Sequence, residues 1–92
     1  MKVIEVKVSG FRGPEYMRLP ATGEKVKLLR DAEHGDWKTA AVRPGHWPTI
    51  KKGTEVEVLG WMQNMEGVHL KVKYLDWAYD VPDYFFDKNP WR

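Results

Sequence analysis

Histidine is the residue in this chain best suited to acid–base chemistry or metal binding, and it occurs as His34, His46 and His69. No two of them are two or four residues apart, the spacings that place two ligands on one face of a strand or helix. The chain has one serine, Ser9, and no cysteine, which excludes thiolate metal sites and disulfides. Residues 10–13 carry two glycines without the strand-to-helix setting of a phosphate-binding loop. We therefore expect no enzymatic activity, no metal site and no cofactor.

Aromatic residues are the second group that could carry function. Five Trp, four Tyr and three Phe are more than the core of so short a chain is expected to hold. Trp47, between a histidine and a proline, and Trp61, at the end of an alternating segment before a polar turn, are expected to be partly exposed. Exposed Trp and Tyr often anchor protein interfaces, so the aromatic excess favours a binding function.

The elements that position these residues follow from the alternation of apolar and polar residues, which is typical of half-buried strands. Strands are predicted at residues 3–8, 24–30, 37–42, 54–61, 68–74 and 77–81. Residues 11–23, with Gly13, Pro14, Pro20 and Gly23, are predicted to form a long ordered loop. Within it, Met17 and Leu19 are suited to a short strand. No apolar pattern has helical spacing over three turns. Five to six short antiparallel strands therefore predict a small all-β barrel or sandwich.

Two features near the C-terminus extend this prediction. Pro82 is expected to begin a single 3-10 turn, because its fixed φ suits a first helical position. The tail, residues 87–92, is polar apart from Trp91, and the pattern leaves open whether that indole docks on the domain or not.

The length and charge of the chain predict its domain organisation, its class of partner and its location. A chain of 92 residues predicts one domain, divided into an N-terminal strand and loop (1–23), the barrel (24–86) and the tail (87–92). Its net charge of +2 indicates no polyanionic partner by itself. Charged residues recur through residues 1–8, so neither a signal peptide nor a membrane span is expected, and we predict a cytoplasmic protein.

Residues 50–86 carry several short motifs in a familiar order. They are Lys-Lys-Gly at 51–53, Val-Glu-Val-Leu at 56–59, Leu-Lys-Val-Lys at 70–73 and Val-Pro-Asp-Tyr-Phe at 81–85. This order resembles the second half of a Src homology three domain and, nearly as closely, the bacterial version of that barrel. The resemblance implies an SH3-like barrel, with residues 2–8 added as an extra N-terminal strand.

The resemblance also implies a binding mode, because such domains hold proline-rich peptides across aromatic side chains. From this resemblance we expect a protein-interaction module, such as an adaptor or an accessory subunit, that binds a segment of a partner protein in an aromatic groove. The groove is expected to contain Trp61, His69, Trp77, Pro82 and Tyr84.

An acidic loop is expected beside this groove. By the same resemblance, Asp31, Glu33 and Asp36 are expected to pair with a basic residue of the partner.

Two alternative functions remain open. Lys71 and Lys73 point outward with aromatic residues nearby, which suits binding of a nucleic-acid strand, helped by basic loops that carry Arg12, Arg18, Lys25 and Arg43. The preceding strand, however, is expected to place Glu55 and Glu57 on the same side, where cross-strand ion pairs would cancel the positive field. Cell-wall peptide binding follows the bacterial resemblance, and the expected lack of an export signal argues against it.

Overall fold

The computed structural model describes residues 1–10, 12–33, 35–36 and 48–92. These residues form six strands and two 3-10 turns, and no α-helix occurs among them. The strands are β1 (Val3–Gly10), β2 (Gly13–Pro20), β3 (Lys25–Lys27), β4 (Glu55–Asn64), β5 (Gly67–Tyr74) and β6 (Trp77–Pro82), and the turns are η1 (Asp83–Phe85) and η2 (Asn89–Trp91). The prediction of an all-β domain with a 3-10 turn beside Pro82 is confirmed. Pro82 itself precedes the turn rather than beginning it, because its ψ of 139° is still extended.

Four antiparallel strands form the larger sheet in the order β3-β4-β5-β6. Apolar residues alternate as predicted, and Val56, Val58, Leu70 and Val72 are buried on its inner face. The register of β4 against β5 shifts between Val58 and Gly60, so Leu59 is an extra residue in the ladder. Such a bulge reverses the face to which every later residue of β4 points.

The smaller sheet is the antiparallel hairpin of β1 and β2, in which Val3 lies opposite Pro20 and Gly10 opposite Gly13. The prediction of β1 is confirmed. The long loop predicted over residues 11–23 is instead mostly strand, since β2 extends well beyond Met17 and Leu19, the residues expected to suit a short strand. Proline is tolerated at the first residues of strands and on edge strands, where no ladder donor is needed. Pro14 and Pro20 lie at the two ends of β2, so they do not interrupt it.

The hairpin and the sheet share one core. Val6, Val8 and Leu19 of the hairpin belong to the same buried cluster as the inner residues of the larger sheet. Gln63 of β4 fixes the hairpin further, since its side-chain amide accepts from the Ser9 N–H at 2.9 Å and donates to the Ser9 carbonyl at 2.8 Å. The N–H and the carbonyl of Ser9 are free for these bonds because Ser9 lies opposite Pro14, with which it exchanges no ladder hydrogen bonds.

After η1 the chain returns to β3. Leu28 and Phe86 form an antiparallel bridge, the Leu29 N–H donates to the Phe85 carbonyl at 2.8 Å, and the Asp87 N–H donates to the Lys27 carbonyl at 2.9 Å. The end of the β6 segment therefore lies beside the first strand of its own sheet. Among the described residues, no strand pairing joins the two sheets into one closed barrel.

The C-terminal tail docks on the domain. Trp91 is only 3% exposed and belongs to the core cluster, and η2 lies against β2. The question left open by the sequence is thus answered in favour of a packed indole.

Several predictions fall on the part of the chain that the structure does not describe. They are the strand at residues 37–42, the exposure of Trp47, the basic loop residue Arg43 and the histidines His34 and His46. In the described part of the chain, no helix has the length and apolar character needed to cross a membrane.

Candidate functional site

His69 and Pro82, two residues of the predicted groove, are neighbours in the structure. They lie opposite each other on β5 and β6, with Met62 opposite His69 on β4. Both His69 and Pro82 are buried, so neither offers a surface to a partner. Nδ1 of His69 lies 3.1 Å from the Gly67 carbonyl oxygen. Because a carbonyl oxygen only accepts, Nδ1 donates, and the ring fixes the turn between β4 and β5.

Trp61 and Trp77 lie elsewhere. Trp61 is half-buried against the core and faces Leu70, one residue along from His69 and therefore on the opposite face of the sheet. Trp77 is 40% exposed at the start of β6, opposite Tyr74 and four residues before Val81. The expectation of a partly exposed Trp61 is confirmed. The described strands do not gather the predicted groove residues on one surface.

Tyr84 is the most exposed of the predicted groove residues, at 55%, compared with 40% for Trp77. It lies in η1, next to Phe85, and their ring centroids are 5.1 Å apart. The guanidinium carbon of Arg30 lies 5.4 Å from the Tyr84 centroid and 5.1 Å from the Phe85 centroid, within cation–π range of both. Leu29, 51% exposed, adjoins Arg30. We call the exposed surface of Leu29, Arg30 and Tyr84 the Tyr84 platform.

A main-chain hydrogen bond and an ion pair hold the Tyr84 platform in place. The main-chain bond from Leu29 to Phe85 joins its two segments directly. Nζ of Lys88 donates to Oδ2 of Asp83 at 2.6 Å, and these side chains are 30% and 14% exposed. This ion pair spans η1 from its first residue to the chain beyond it. A tyrosine fixed in this way loses little further side-chain entropy when a partner binds.

The acidic loop follows the platform, since Asp31 comes directly after Arg30. Two carboxylates stabilise the loop itself: Asp31 Oδ1 accepts from the Lys52 N–H at 2.6 Å, and Asp36 Oδ2 accepts from the Glu33 N–H at 2.9 Å. The bridge between Ala32 and Ile50 anchors the same segment. Asp31, Glu33 and Asp36 are all exposed. The predicted acidic loop therefore begins at the residue after Arg30, whose guanidinium contacts the Tyr84 ring.

The outer face of the larger sheet carries alternating charges. Glu57 lies between Lys25 and Lys73 in the ladder, and Nζ of Lys25 is 3.6 Å from a Glu57 carboxylate oxygen. Lys71 lies opposite Asp80. Each lysine of β5 thus has an acidic cross-strand neighbour, an arrangement that lowers the positive potential available to a polyanion.

The platform residues Leu29 and Arg30 were not among the predicted site residues, although the sequence contains a signal for one of them. Val26 and Leu28 point inward, so alternation turns Leu29 outward, and an outward leucine at the end of a strand suggests a contact surface. Nothing local to Arg30 indicates its contact with Tyr84, because 54 positions separate the two residues.

Two further findings concern metal binding and similarity to known proteins. Among the residues described, no three His, Asp or Glu side chains gather in a way that would hold a metal ion. Comparison of the chain with protein-family models, with curated proteins and with solved structures finds no match.

Proposed function

We propose that this protein is a non-catalytic protein-interaction module that binds a segment of a partner protein on the Tyr84 platform. The observation that carries the proposal is the 55% exposure of a tyrosine ring held in place by Arg30 and Phe85. Water-exposed aromatic rings that are already ordered are favourable anchors, since they bury a large area at small entropic cost.

The chemistry of the platform indicates the chemistry of the partner. Tyr84 and Leu29, whose N–H donates to the Phe85 carbonyl, offer exposed apolar side chains, and the acidic loop adds the exposed carboxylates of Asp31, Glu33 and Asp36. Asp31 and Asp36 accept main-chain hydrogen bonds, whereas no donor in the described part of the chain bonds to the Glu33 carboxylate, so we assign the basic side chain of the partner to Glu33. The partner segment is accordingly apolar or proline-rich with an adjacent Lys or Arg.

An SH3-like barrel is the scaffold that we propose for this function. The return of Phe86 to Leu28 supports it, because it brings the end of the β6 segment back to β3 and curls the larger sheet on itself. The diverging turn at Gly53 (φ 85°) and the 3-10 turn after Pro82 also fit the motifs that resemble that family. A cytoplasmic location belongs to the same proposal.

Affinity capture with matched tyrosine variants tests the proposal. The intact chain, Tyr84→Ala and Tyr16→Ala are each immobilised and exposed to lysate of the source cell, and retained proteins are quantified by mass spectrometry. Tyr16 is 68% exposed on the other sheet and is the matched control. Tyr84→Ala should lower capture of a specific partner by about tenfold or more, the effect of losing one interface anchor. Tyr16→Ala should retain that partner.

A second variant tests the charge. Glu33→Gln should lower capture of the same partner by a smaller factor, since an exposed ion pair contributes about 0.2–1 kcal/mol. Circular dichroism of each variant establishes that it is folded. If wild type and folded Tyr84→Ala retain the same proteins in the same amounts, the platform is not the binding surface.

A further inference from the structure

The outward face of the β1–β2 hairpin carries a second exposed tyrosine with cations around it. Tyr16 is 68% exposed and lies opposite Lys7. Arg18 is two residues along the same strand, so its side chain is on the same face, and Glu5 lies opposite it. Arg12, also exposed, lies beside Gly13 at the end of the hairpin. We call Lys7, Arg12, Tyr16 and Arg18 the ribbon face.

The ribbon face differs in charge arrangement from the outer face of the larger sheet. On the larger sheet, Lys73 lies opposite Glu57 and Lys71 opposite Asp80. On the hairpin, the residue opposite Lys7 is the uncharged ring of Tyr16. Glu5 is the acidic residue on this face and lies opposite Arg18. Glu15, whose carboxylate lies beside Gly10 at the hairpin end, belongs to the opposite face with Val8, so the outward charges at this end are those of Lys7 and Arg12.

Spacing on the ribbon suits a chain of phosphates and bases. Residues two apart on one strand are about 6.5–7 Å apart, and diagonal cross-strand neighbours such as Lys7 and Arg18 are about 7–8 Å apart. Cations at those distances flank the exposed ring of Tyr16 on the same face. A ring exposed between cations combines the two contacts that hold an unpaired nucleotide: base stacking and phosphate attraction.

We propose that the ribbon face binds single-stranded nucleic acid, with a base stacked on Tyr16 and phosphates contacted by Lys7, Arg12 and Arg18. This inference is independent of the Tyr84 platform, because the two tyrosines lie on different elements, β2 and η1. It also differs from the placement on Lys71 and Lys73 that the sequence suggests.

Fluorescence anisotropy with labelled oligothymidylate and oligouridylate of about 15 nucleotides tests the proposal with the full chain. Three phosphate contacts predict a slope of log K against log salt of about −2, which is a roughly 20-fold loss of affinity between 50 and 200 mM salt. Tyr16→Ala should weaken binding by about fivefold or more. Tyr84→Ala should bind as wild type does, which separates this surface from the platform.

Charge-matched double variants locate the phosphate contacts. Lys7→Gln with Arg18→Gln should reduce the salt slope to about −0.7, since one contact remains. Lys71→Gln with Lys73→Gln removes the same charge from the larger sheet and should leave the slope near that of wild type. Absence of binding at 50 mM salt overturns the proposal. So does equal weakening by both double variants, an unchanged affinity of folded Tyr16→Ala, or tighter binding of a duplex of the same length.

Discussion

Trp91 provides a direct test of how residues 87–92 pack on the domain, because it is a core residue that lies in η2, outside the described strands. The indole is 3% exposed, belongs to the core cluster and is carried by η2, which lies against β2. The N–H groups of Trp91 and Arg92 both donate to the Lys88 carbonyl at 3.0 Å. Trp91→Ala therefore removes a core residue without touching any strand.

The magnitude follows from burial and chain entropy. Burying a tryptophan removes about 150–250 Å² from water, which at about 25 cal/mol per Å² is worth roughly 4–6 kcal/mol. If the tail then detaches, a few residues regain about 1 kcal/mol each in backbone freedom, which offsets part of the loss. We expect the free energy of unfolding to fall by about 3 kcal/mol. A domain of this length has about 5–14 kcal/mol in total, so the variant remains folded but is much weakened.

Urea unfolding followed by far-ultraviolet circular dichroism measures this loss without relying on tryptophan fluorescence. With a denaturant slope of about 1–1.5 kcal/mol per molar, the midpoint of Trp91→Ala should fall by about 2–3 M. Arg92→Ala is the control, since Arg92 is exposed and adjacent, and its midpoint should stay within about 0.5 M of wild type. A shift of under about 0.5 M for Trp91→Ala would show that the tail does not pack on β2.

Two further predictions concern the turn between β5 and β6 and a buried tyrosine. Leu75 and Asp76 have φ of 48° and 66°, values that asparagine and glycine adopt more readily. The double variant Leu75→Asn with Asp76→Gly should therefore raise the free energy of unfolding by about 1 kcal/mol or more. A urea midpoint that stays the same or falls contradicts this prediction. Burial, and secondly the charge of neighbouring Tyr74, raises the pKa of Tyr79 above its usual 10.0, so this phenol ionises at lower pH in the unfolded chain than in the folded one. Its contribution to stability is then complete below about pH 10 and is lost as pH rises towards the folded pKa. Urea midpoints between about pH 9 and 11 should fall less steeply for Tyr79→Phe than for wild type, and parallel curves would refute the assignment.

Alternation of side chains predicted β1 and the strands of the second half of the chain, because one buried face imposes a period of two on each of them. It failed over residues 11–23, where prolines at both ends of β2 were interpreted as breakers. Pro20 lies opposite Val3 and Pro14 opposite Ser9, so the missing proline N–H groups affect only the ends of the β1–β2 ladder. Recognising β2 from sequence required its partner, β1, to be considered at the same time.

The bulge at Leu59 separates two residues of the predicted groove, Trp61 and His69. A continuous period of two from Val56 and Val58 puts Trp61 on the outer face, beside His69. The extra residue turns Trp61 inward to face Leu70, while His69 stays on the other side. Gly60, an isolated glycine within a strand pattern, was the available signal for such an irregularity. A shift of one residue in strand register thus decides whether Trp61 and His69 lie on the same face of the sheet.

The Tyr84 platform depends on contacts that no local pattern contains. Tyr84 is placed by the 3-10 turn after Pro82, whereas Arg30 and Leu29 follow β3, and the bridge between Leu28 and Phe86 is what brings these segments together. Both residues of that bridge are 1% exposed, so core packing and platform geometry are set by the same pair. The exposed tyrosine is therefore ordered by the interior of the domain rather than by its own neighbours in sequence. This is why the motif at residues 81–85 contains the exposed Tyr84 but no signal for the side chains that accompany it.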